Sequence, residues 1–391
     1  MNYDNVLSSR LKNIKPSGIR KFFDLLVGRD DVISLGIGEP DFVTPWHIRD
    51  AGIYSLEKGY THYTPNAGTM ELRREISNYL KRKTKMEYDP KDEILVTVGG
   101  SEAIDVALRA LVENGDEVLI PEPSFVCYGP MATLSGATPV PIATTKETNF
   151  KLTPDALKAA ITPKSKVIIL PFPCNPTGAI MTREELETVS KVIIENNLIA
   201  ISDEIYSELT YDIEHCTPAS IPGMRERTIV VNGFSKAYAM TGWRLGYATG
   251  PRELIKPMTL IHQYAIMSAP TTAQYAAVEA LKNGDEDIAE MREEYNRRRR
   301  VICDRLNSLG LTCFEPRGAF YVFPSIEITG LSSEEFCERL LKEHGVAVIP
   351  GNAFGACGEG FVRCCYASSM RDLTEALERI EAFLKKLGCV K

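Results

Sequence analysis

Five short runs of consecutive apolar and β-branched residues constrain the fold of this chain more than any other feature. They lie at 94–98, 118–120, 167–170, 198–201 and 228–231. A strand with one face in water alternates apolar and polar residues, whereas an unbroken apolar run is typical of a strand buried on both faces. The pattern predicts an α/β fold, in which helices cover both faces of a parallel sheet.

Helix signals separate these runs. Residues 72–82 and 103–112 have helical apolar spacing, and Thr182 with Glu185 forms a capping-box pattern that predicts a helix to about Glu195. The alternation of helices and strands is therefore regular across the first two thirds of the chain.

The last third of the chain has a different character. A helical region with breaks is predicted from Pro257 to about Leu309, and a smaller α+β unit follows it. Its strands are predicted at 319–323, 346–349 and 361–366, and its helices at 333–344 and 371–387. We expect a domain boundary near residue 285.

Composition excludes several classes of function. With 45 basic and 52 acidic residues the net charge is −7, which disfavours a nucleic acid or an anionic membrane as the main partner. No apolar run approaches the roughly 18 to 20 residues of a membrane span, and the N-terminus does not resemble a secretory signal. The ten cysteines form no C-x-x-C pair, which predicts free thiols in a reducing cytoplasm. The five histidines lack metal-ligand spacing, so no metal site is expected.

Polar residues follow each of the five apolar runs, and ligands of parallel sheets bind at the carboxyl ends of the strands. These segments supply a glycine-rich helix start, an aromatic, an amide, a carboxylate, a phenol and a lysine: Gly99 and Gly100, Phe125, Asn175, Asp203, Tyr206 and Lys236. Each residue alone has an ordinary explanation, as a turn, a helix cap, core packing or a surface lysine. Their joint placement indicates a binding site.

The same set is chemically coherent. A glycine-rich helix N-terminus binds phosphate, an aromatic ring stacks on a flat ring, and a buried carboxylate keeps a heterocyclic nitrogen protonated. A phenol and an amide can bond a ring oxygen, and a lysine can bond covalently to an aldehyde. Pyridoxal 5′-phosphate (PLP) is a cofactor that requires all of these groups.

The segment 233–246, GFSKAYAMTGWRLG, resembles the cofactor-attachment motif of the fold type I, class I/II PLP-dependent aminotransferases. The segments 34–42, 63–68 and 202–206 and the residue Arg363 also resemble this family, so the resemblance covers nearly the whole chain. Within the family it is most similar to the bacterial aminotransferase A group, whose members act on aromatic, aspartate-type or N-acetyl-LL-diaminopimelate substrates.

The resemblance implies a large domain at 46–285, with a mostly parallel seven-stranded sheet between helices. It implies a smaller α+β domain formed by 1–45 and 286–391. It further implies a cytoplasmic homodimer that transfers the amino group of an L-amino acid to a 2-oxo acid, with 2-oxoglutarate as the expected acceptor, by ping-pong chemistry.

The resemblance also implies residue roles. Lys236 would hold the cofactor and act as the catalytic base, and Asp203 would contact the pyridine nitrogen. Tyr206 and Asn175 would bond the ring oxygen, and Phe125 would stack on the ring. The phosphate would be bound by five residues of one subunit: Gly100, Ser101, Glu102, Ser235 and Arg244.

Arg363 would bind the substrate α-carboxylate beside Gly38 and Asn175, and Ile37 with Phe125 would line the side-chain pocket. The alternative for Arg363 is a surface residue on an edge strand. Tyr63 would reach the phosphate of the partner subunit.

The segment 14–19 resembles one that covers the site. No second cation for a distal carboxylate can be assigned, although His262, Tyr264 and Arg20 are candidates, and this weakens an aspartate-only specificity.

Three other functions fit parts of the pattern. A C–S β-lyase of the same fold shares the cofactor residues and is the main alternative. A transcription regulator of this fold would need an added DNA-binding domain, and the recognisable motifs already begin at residue 34. A nicotinamide dehydrogenase is disfavoured because Gly36-Ile37-Gly38 lacks the third glycine of its motif and Pro40 follows.

Overall fold

The computed structural model describes residues 6–14, 16, 18 and 31–390. The strands are β1 Ile33–Ser34, β2 Ile94–Thr97, β3 Glu117–Glu122, β4 Thr138–Ala143, β5 Ser165–Leu170, β6 Ile199–Asp203, β7 Thr228–Gly233, β8 Gly246–Thr249, β9 Tyr321–Val322, β10 Val346–Ala347, β11 Ile349–Pro350 and β12 Val362–Cys365. The α-helices are α1 Trp46–Glu57, α2 Met70–Thr84, α3 Gly99–Leu111, α4 Tyr128–Ser135, α5 Pro154–Ala160, α6 Arg183–Glu195, α7 Arg252–Ala265, α8 Thr271–Asn283, α9 Asp285–Ser308, α10 Ser333–His344 and α11 Met370–Lys386.

Seven strands form one sheet in the order β2-β8-β7-β6-β5-β3-β4. The pairs from β7 to β4 are parallel, and β8 is antiparallel to both of its neighbours. The predicted α/β class with a mostly parallel sheet of seven strands is therefore confirmed. β8 is not among the predicted strands, because its sequence, GYAT, has no apolar run.

The sheet is buried on both faces, as the apolar runs predict. Ile168 packs in one core cluster with Leu186 of α6, whereas its neighbour Ile169 packs in another with Val106 of α3. Successive residues of a strand point to opposite faces, so α6 and α3 cover opposite faces of the sheet. The capping box of Thr182 and Glu185 is present at the start of α6.

The C-terminal part contains a three-stranded antiparallel sheet in the order β11-β12-β9. β1 pairs in parallel with β10, so the N-terminal segment lies against this part. The helical region predicted from 257 to 309 divides into α7, α8 and α9, and Pro257 lies within α7. The strand predicted at 346–349 is two short strands, β10 and β11, that belong to different sheets.

Three further features bear on the sequence predictions. All ten cysteines lie in the described part of the chain and all are free thiols. Among the residues that the structure describes, no His, Cys, Asp and Glu side chains form a group of three or more that could hold a metal ion. In the same residues no helix is both long and apolar enough to cross a membrane.

Candidate active site

A cavity of about 300 Å³ lies at the carboxyl ends of the central strands. It is lined by eleven of the predicted residues, which come from at least five separate segments: Gly38, Gly100, Ser101, Phe125, Asn175, Asp203, Tyr206, Ser235, Lys236, Arg244 and Arg363. Glu102, Ile37 and Tyr63 do not line it. The convergence expected from the strand ends is thus present.

Lys236 follows β7 and carries the amine of this cavity. Its Nζ donates a hydrogen bond to the carbonyl oxygen of Gly38 at 2.6 Å. Burial lowers the pKa of Lys236 to about 8, and the nearby charges of Arg363 and Arg244 act in the same direction, while Glu39 opposes them. A large fraction of this amine is therefore neutral, and so nucleophilic, at mildly alkaline pH.

Asp203 ends β6 and is 8% exposed. Its carboxylate accepts hydrogen bonds from the Tyr128 hydroxyl at 2.7 Å and from the Ile205 N–H at 3.2 Å. Burial raises the pKa of Asp203 in spite of these donors and of Lys236. The charged carboxylate is thus incompletely compensated, and a protonated nitrogen placed in the cavity would stabilise it.

The other end of the cavity is built to bind an anion. Helix α3 begins at Gly99, whose φ of +77° belongs to the left-handed region, so a side chain there would be strained. The guanidinium of Arg244 lies against Gly99, since a β-carbon at that position would be 3.0 Å from Nη2. The free N–H groups at a helix N-terminus, the Arg244 charge and the hydroxyls of Ser101 and Ser235 form a set of donors suited to phosphate.

Glu102 lies at this anion site, but its carboxylate is engaged elsewhere. It accepts a hydrogen bond from the Val98 N–H and contacts Nδ1 of His262 at 2.6 Å. The side chain therefore does not place a negative charge in the cavity. Whether its N–H binds the phosphate stays a prediction.

Arg363 lies on β12, the central strand of its sheet, and is 2% exposed. The edge-strand surface alternative is therefore wrong. Nη1 donates to Oδ1 of Asn175 at 2.8 Å and Nη2 donates to the carbonyl of Gly36. The guanidinium carbon lies 4.6 Å from the ring centre of Tyr321 and 4.8 Å from that of Phe354. Nε is buried without a hydrogen-bond partner, and the side chain lines the cavity, where its charge suits a bound carboxylate.

Tyr206 completes the set. Its hydroxyl is 2.8 Å from that of Tyr321, and burial raises the pKa of Tyr206 well above 10. Tyr321, Tyr128 and Thr241 line the cavity but are not among the predicted site residues. Thr241 lies inside the recognised motif, whereas no local sequence signal marks the two tyrosines.

The candidates for a distal-carboxylate cation are not in the cavity. His262 is fully buried against Glu102, and Tyr264 is 83% exposed away from the cavity lining. Arg20 and part of the segment 14–19 lie outside the described residues.

The donor set fits PLP. An anion site at the start of α3, the buried Asp203 carboxylate with its raised pKa and the Lys236 amine with its lowered pKa are the groups that a phosphorylated pyridine aldehyde requires. Fold and site together define a PLP-dependent enzyme that handles a carboxylate-bearing substrate.

Comparison with known proteins identifies the family. Residues 30–380 match the family described as aminotransferase class I and II. A putative aminotransferase of Bacillus subtilis (strain 168), YugH, is 53% identical over 97% of this chain and 98% of that protein. An aspartate aminotransferase of Pyrococcus abyssi is 47% identical over 97% of this chain and 98% of that protein.

A solved structure agrees with the sequence matches. The aromatic aminotransferase from Pyrococcus horikoshii OT3 superposes with a TM-score of 0.91 at 47% identity, covering 95% of this chain and 100% of that one. The chain belongs to the class I and II aminotransferases and is a PLP-dependent amino-acid aminotransferase, as the sequence resemblance predicts.

The lowered pKa of Lys236 leads to a kinetic prediction. In cofactor-free protein, the rate of covalent PLP attachment should rise with pH through a midpoint near 8, because only the neutral amine attacks an aldehyde. Stopped-flow absorbance at a series of pH values around 8 measures this rate. Free Nα-acetyl-lysine is the control, and its midpoint is expected at about 10.4. A protein midpoint as high as the control would show that the cavity does not perturb this amine.

Proposed function

We propose that this aminotransferase uses the cavity around Lys236 to transfer amino groups from L-amino acids to 2-oxo acids, with 2-oxoglutarate as the acceptor. The observation that carries the proposal is the buried guanidinium of Arg363 in the same cavity as an amine with a pKa of about 8. The guanidinium can bind a carboxylate. The amine can bond to an aldehyde cofactor or accept a proton from the substrate.

When bound, PLP supplies an aldehyde that captures amines and a ring that accepts electrons. Asp203 would keep a positive charge on the ring nitrogen, because its buried carboxylate would gain a partner there. Asn175 and Tyr206 would donate to the ring oxygen, and Phe125 would pack on the ring. The phosphate would be held by Gly100, Ser101, the Glu102 N–H, Ser235 and Arg244.

Lys236 and Arg363 act on the substrate. Arg363 would bind the α-carboxylate and so orient the Cα–H bond. Gly38 would lie beside this carboxylate. The neutral Nζ of Lys236 would serve as the base that takes up the Cα proton and gives it back. The Gly38 carbonyl, which accepts from Nζ at 2.6 Å, holds the free amine inside the site.

The cavity favours donors without a second carboxylate. Among the described residues that line it, the cations are Lys236, Arg244 and Arg363, and each already has a role. Apolar groups such as Ile104, Phe125 and Pro173 make up much of the remaining wall. We therefore propose aromatic donors ahead of aspartate and of N-acetyl-LL-diaminopimelate, since each of the latter two carries a second carboxylate, with Ile37 at the edge of the pocket. The second carboxylate of 2-oxoglutarate would have to fit the same pocket.

Single half-reactions test this proposal. PLP-loaded protein is mixed with one amino acid and no oxo acid, and the visible band is followed with aspartate, phenylalanine, tyrosine, leucine and N-acetyl-LL-diaminopimelate. We expect fastest loss of the band with an aromatic donor and its recovery with 2-oxoglutarate. Pyruvate release from cystathionine without any oxo acid would instead establish a C–S lyase, and fastest loss with aspartate would contradict the donor order.

Replacing Arg363 tests the carboxylate role. Arg363→Lys keeps the charge but loses the planar pair of donors, so kcat/KM for the amino acid should fall at least about 30-fold, or about 2 kcal/mol. Arg299→Lys is the matched control, since Arg299 is equally buried but bonds Asp212 and Glu315 outside the cavity. Equal rates for Arg363→Lys and the unchanged protein would refute this role.

We also propose a homodimer with shared sites. Large apolar side chains are exposed around α1 and the end of α7, including Trp46 at 61%, Tyr63 at 83% and Tyr264 at 83%. Asn66 bonds the carbonyl of Met267 at 2.7 Å, so these two regions are adjacent. Such a surface is typical of a protein interface, and Tyr63 on it can reach a second subunit.

If Tyr63 bonds the partner's phosphate, Tyr63→Phe should weaken PLP binding about 10-fold. Dialysis followed by absorbance measures retention, and sedimentation velocity measures assembly. Tyr60→Phe is the control, because Tyr60 stacks on Tyr275 at 5.0 Å within the same chain. Unchanged retention in Tyr63→Phe would count against a shared site.

Two further proposals concern organisation. A large domain at 46–285 and a small domain at 1–45 with 286–391 are supported by the pairing of β1 with β10 and by the bond from Arg363 to Gly36. A cytoplasmic location is supported by the ten free thiols.

A further inference from the structure

We infer that Tyr321 is a positioning residue for transamination, whose hydroxyl orients the hydroxyl of Tyr206 by donating a hydrogen bond to it. The inference rests on the proposed role of Tyr206 as a donor to the cofactor's ring oxygen. It concerns a residue that the sequence motifs do not mark.

Tyr321 contacts three of the proposed functional groups at once. It lies on β9, is fully buried and lines the cavity. Its hydroxyl is 2.8 Å from the Tyr206 hydroxyl, and its ring faces the Arg363 guanidinium at 4.6 Å. A β-carbon at Gly38 would overlap the Tyr321 hydroxyl, so a glycine there allows this approach. The side chain therefore lies between the Arg363 carboxylate site and the Tyr206 ring-oxygen site.

Counting hydrogens fixes the direction of the bond. Each phenol has one hydrogen to donate, and one of the two must accept in the observed pair. In the loaded site Tyr206 needs its own hydrogen for the ring oxygen, so Tyr321 must be the donor to Tyr206. A phenol that accepts a hydrogen bond is a stronger and better oriented donor, because bonds in such a chain polarise one another.

The surroundings keep both phenols protonated. Burial raises the pKa of Tyr206 and of Tyr321. The titratable groups that face the pair are Arg363 and Cys365 on β12 and Lys236, whose Nζ lies 5.9 Å from the Tyr206 ring centre. The positive charge of Arg363 opposes the rise in both pKa values but is outweighed by burial.

Neighbouring tyrosines show what a structural hydroxyl does in this core. The hydroxyls of Tyr211 and Tyr366 both donate to the carbonyl of Ala319, at 2.6 and 3.1 Å, and neither residue lines the cavity. The Tyr321 hydroxyl differs because it meets a side chain of the site rather than a backbone group.

The test is a double-mutant cycle on PLP-loaded protein. The readout is the pH midpoint of the change in its visible absorption, which reports the proton on the lysine–cofactor link. A ring-oxygen donor lowers this midpoint, so Tyr206→Phe should raise it. Tyr321→Phe keeps the ring against Arg363 and should raise it by about 0.5 to 1 unit. In the Tyr206→Phe background the same change should add no further shift.

Steady-state rates supply a second readout. Tyr321→Phe should lower kcat several-fold and leave KM for the amino acid within about twofold, because the ring that supports Arg363 remains. Tyr366→Phe is the matched control and should leave both the midpoint and the rates unchanged, since its hydroxyl bonds Ala319.

Three results would overturn the inference. An unmoved midpoint in Tyr321→Phe, or an equal shift in the presence and absence of the Tyr206 hydroxyl, would show that Tyr321 does not act through Tyr206. If Tyr206→Phe itself leaves the midpoint unmoved, the proposed role of Tyr206 fails and the inference fails with it. Failure of the proposed role of Tyr206 can be told from failure of the Tyr321 inference, because the Tyr206→Phe single variant tests the role of Tyr206 by itself.

Discussion

Burial of the seven-stranded sheet on both faces is the constraint on which the rest of this structure depends. Strands such as β7 are buried along their whole length, so charged side chains are excluded from the sheet itself and can appear only where strands end. Asp203 ends β6 and Lys236 follows β7, and the parallel arrangement brings both to one edge. Burial shifts the two pKa values in opposite directions: it raises the pKa of the Asp203 carboxyl and lowers the pKa of the Lys236 amine.

A second constraint joins the two ends of the chain to this edge. Arg363 bonds Asn175 and the Gly36 carbonyl, so one buried guanidinium connects β12, the turn after β5 and the N-terminal segment. A buried charge is costly by itself. A carboxylate ligand would offset that cost, and binding would then reinforce the packing of these three segments.

Much of the site could be predicted because many of its residues follow segments whose structure the sequence pattern predicts. The apolar runs predict the strands, and Asn175, Asp203 and Lys236 follow those runs directly. Tyr128 and Tyr321 could not be found in this way, because their roles depend on which hydroxyls meet in the folded chain. β8 carries no apolar run and is held in the sheet by antiparallel pairing with β2 and β7. Likewise only the structure reveals that the Glu102 carboxylate turns toward His262.

In the proposed active site Lys236 alone carries the cofactor. Borohydride reduction of PLP-loaded protein makes the link between lysine and cofactor permanent, and peptide mass spectrometry then locates it. A pyridoxyl group on the peptide that contains Lys236, and on no other lysine, is the predicted result. A label on another lysine, or none after full loading with PLP, would contradict the assignment of this cavity as the active site.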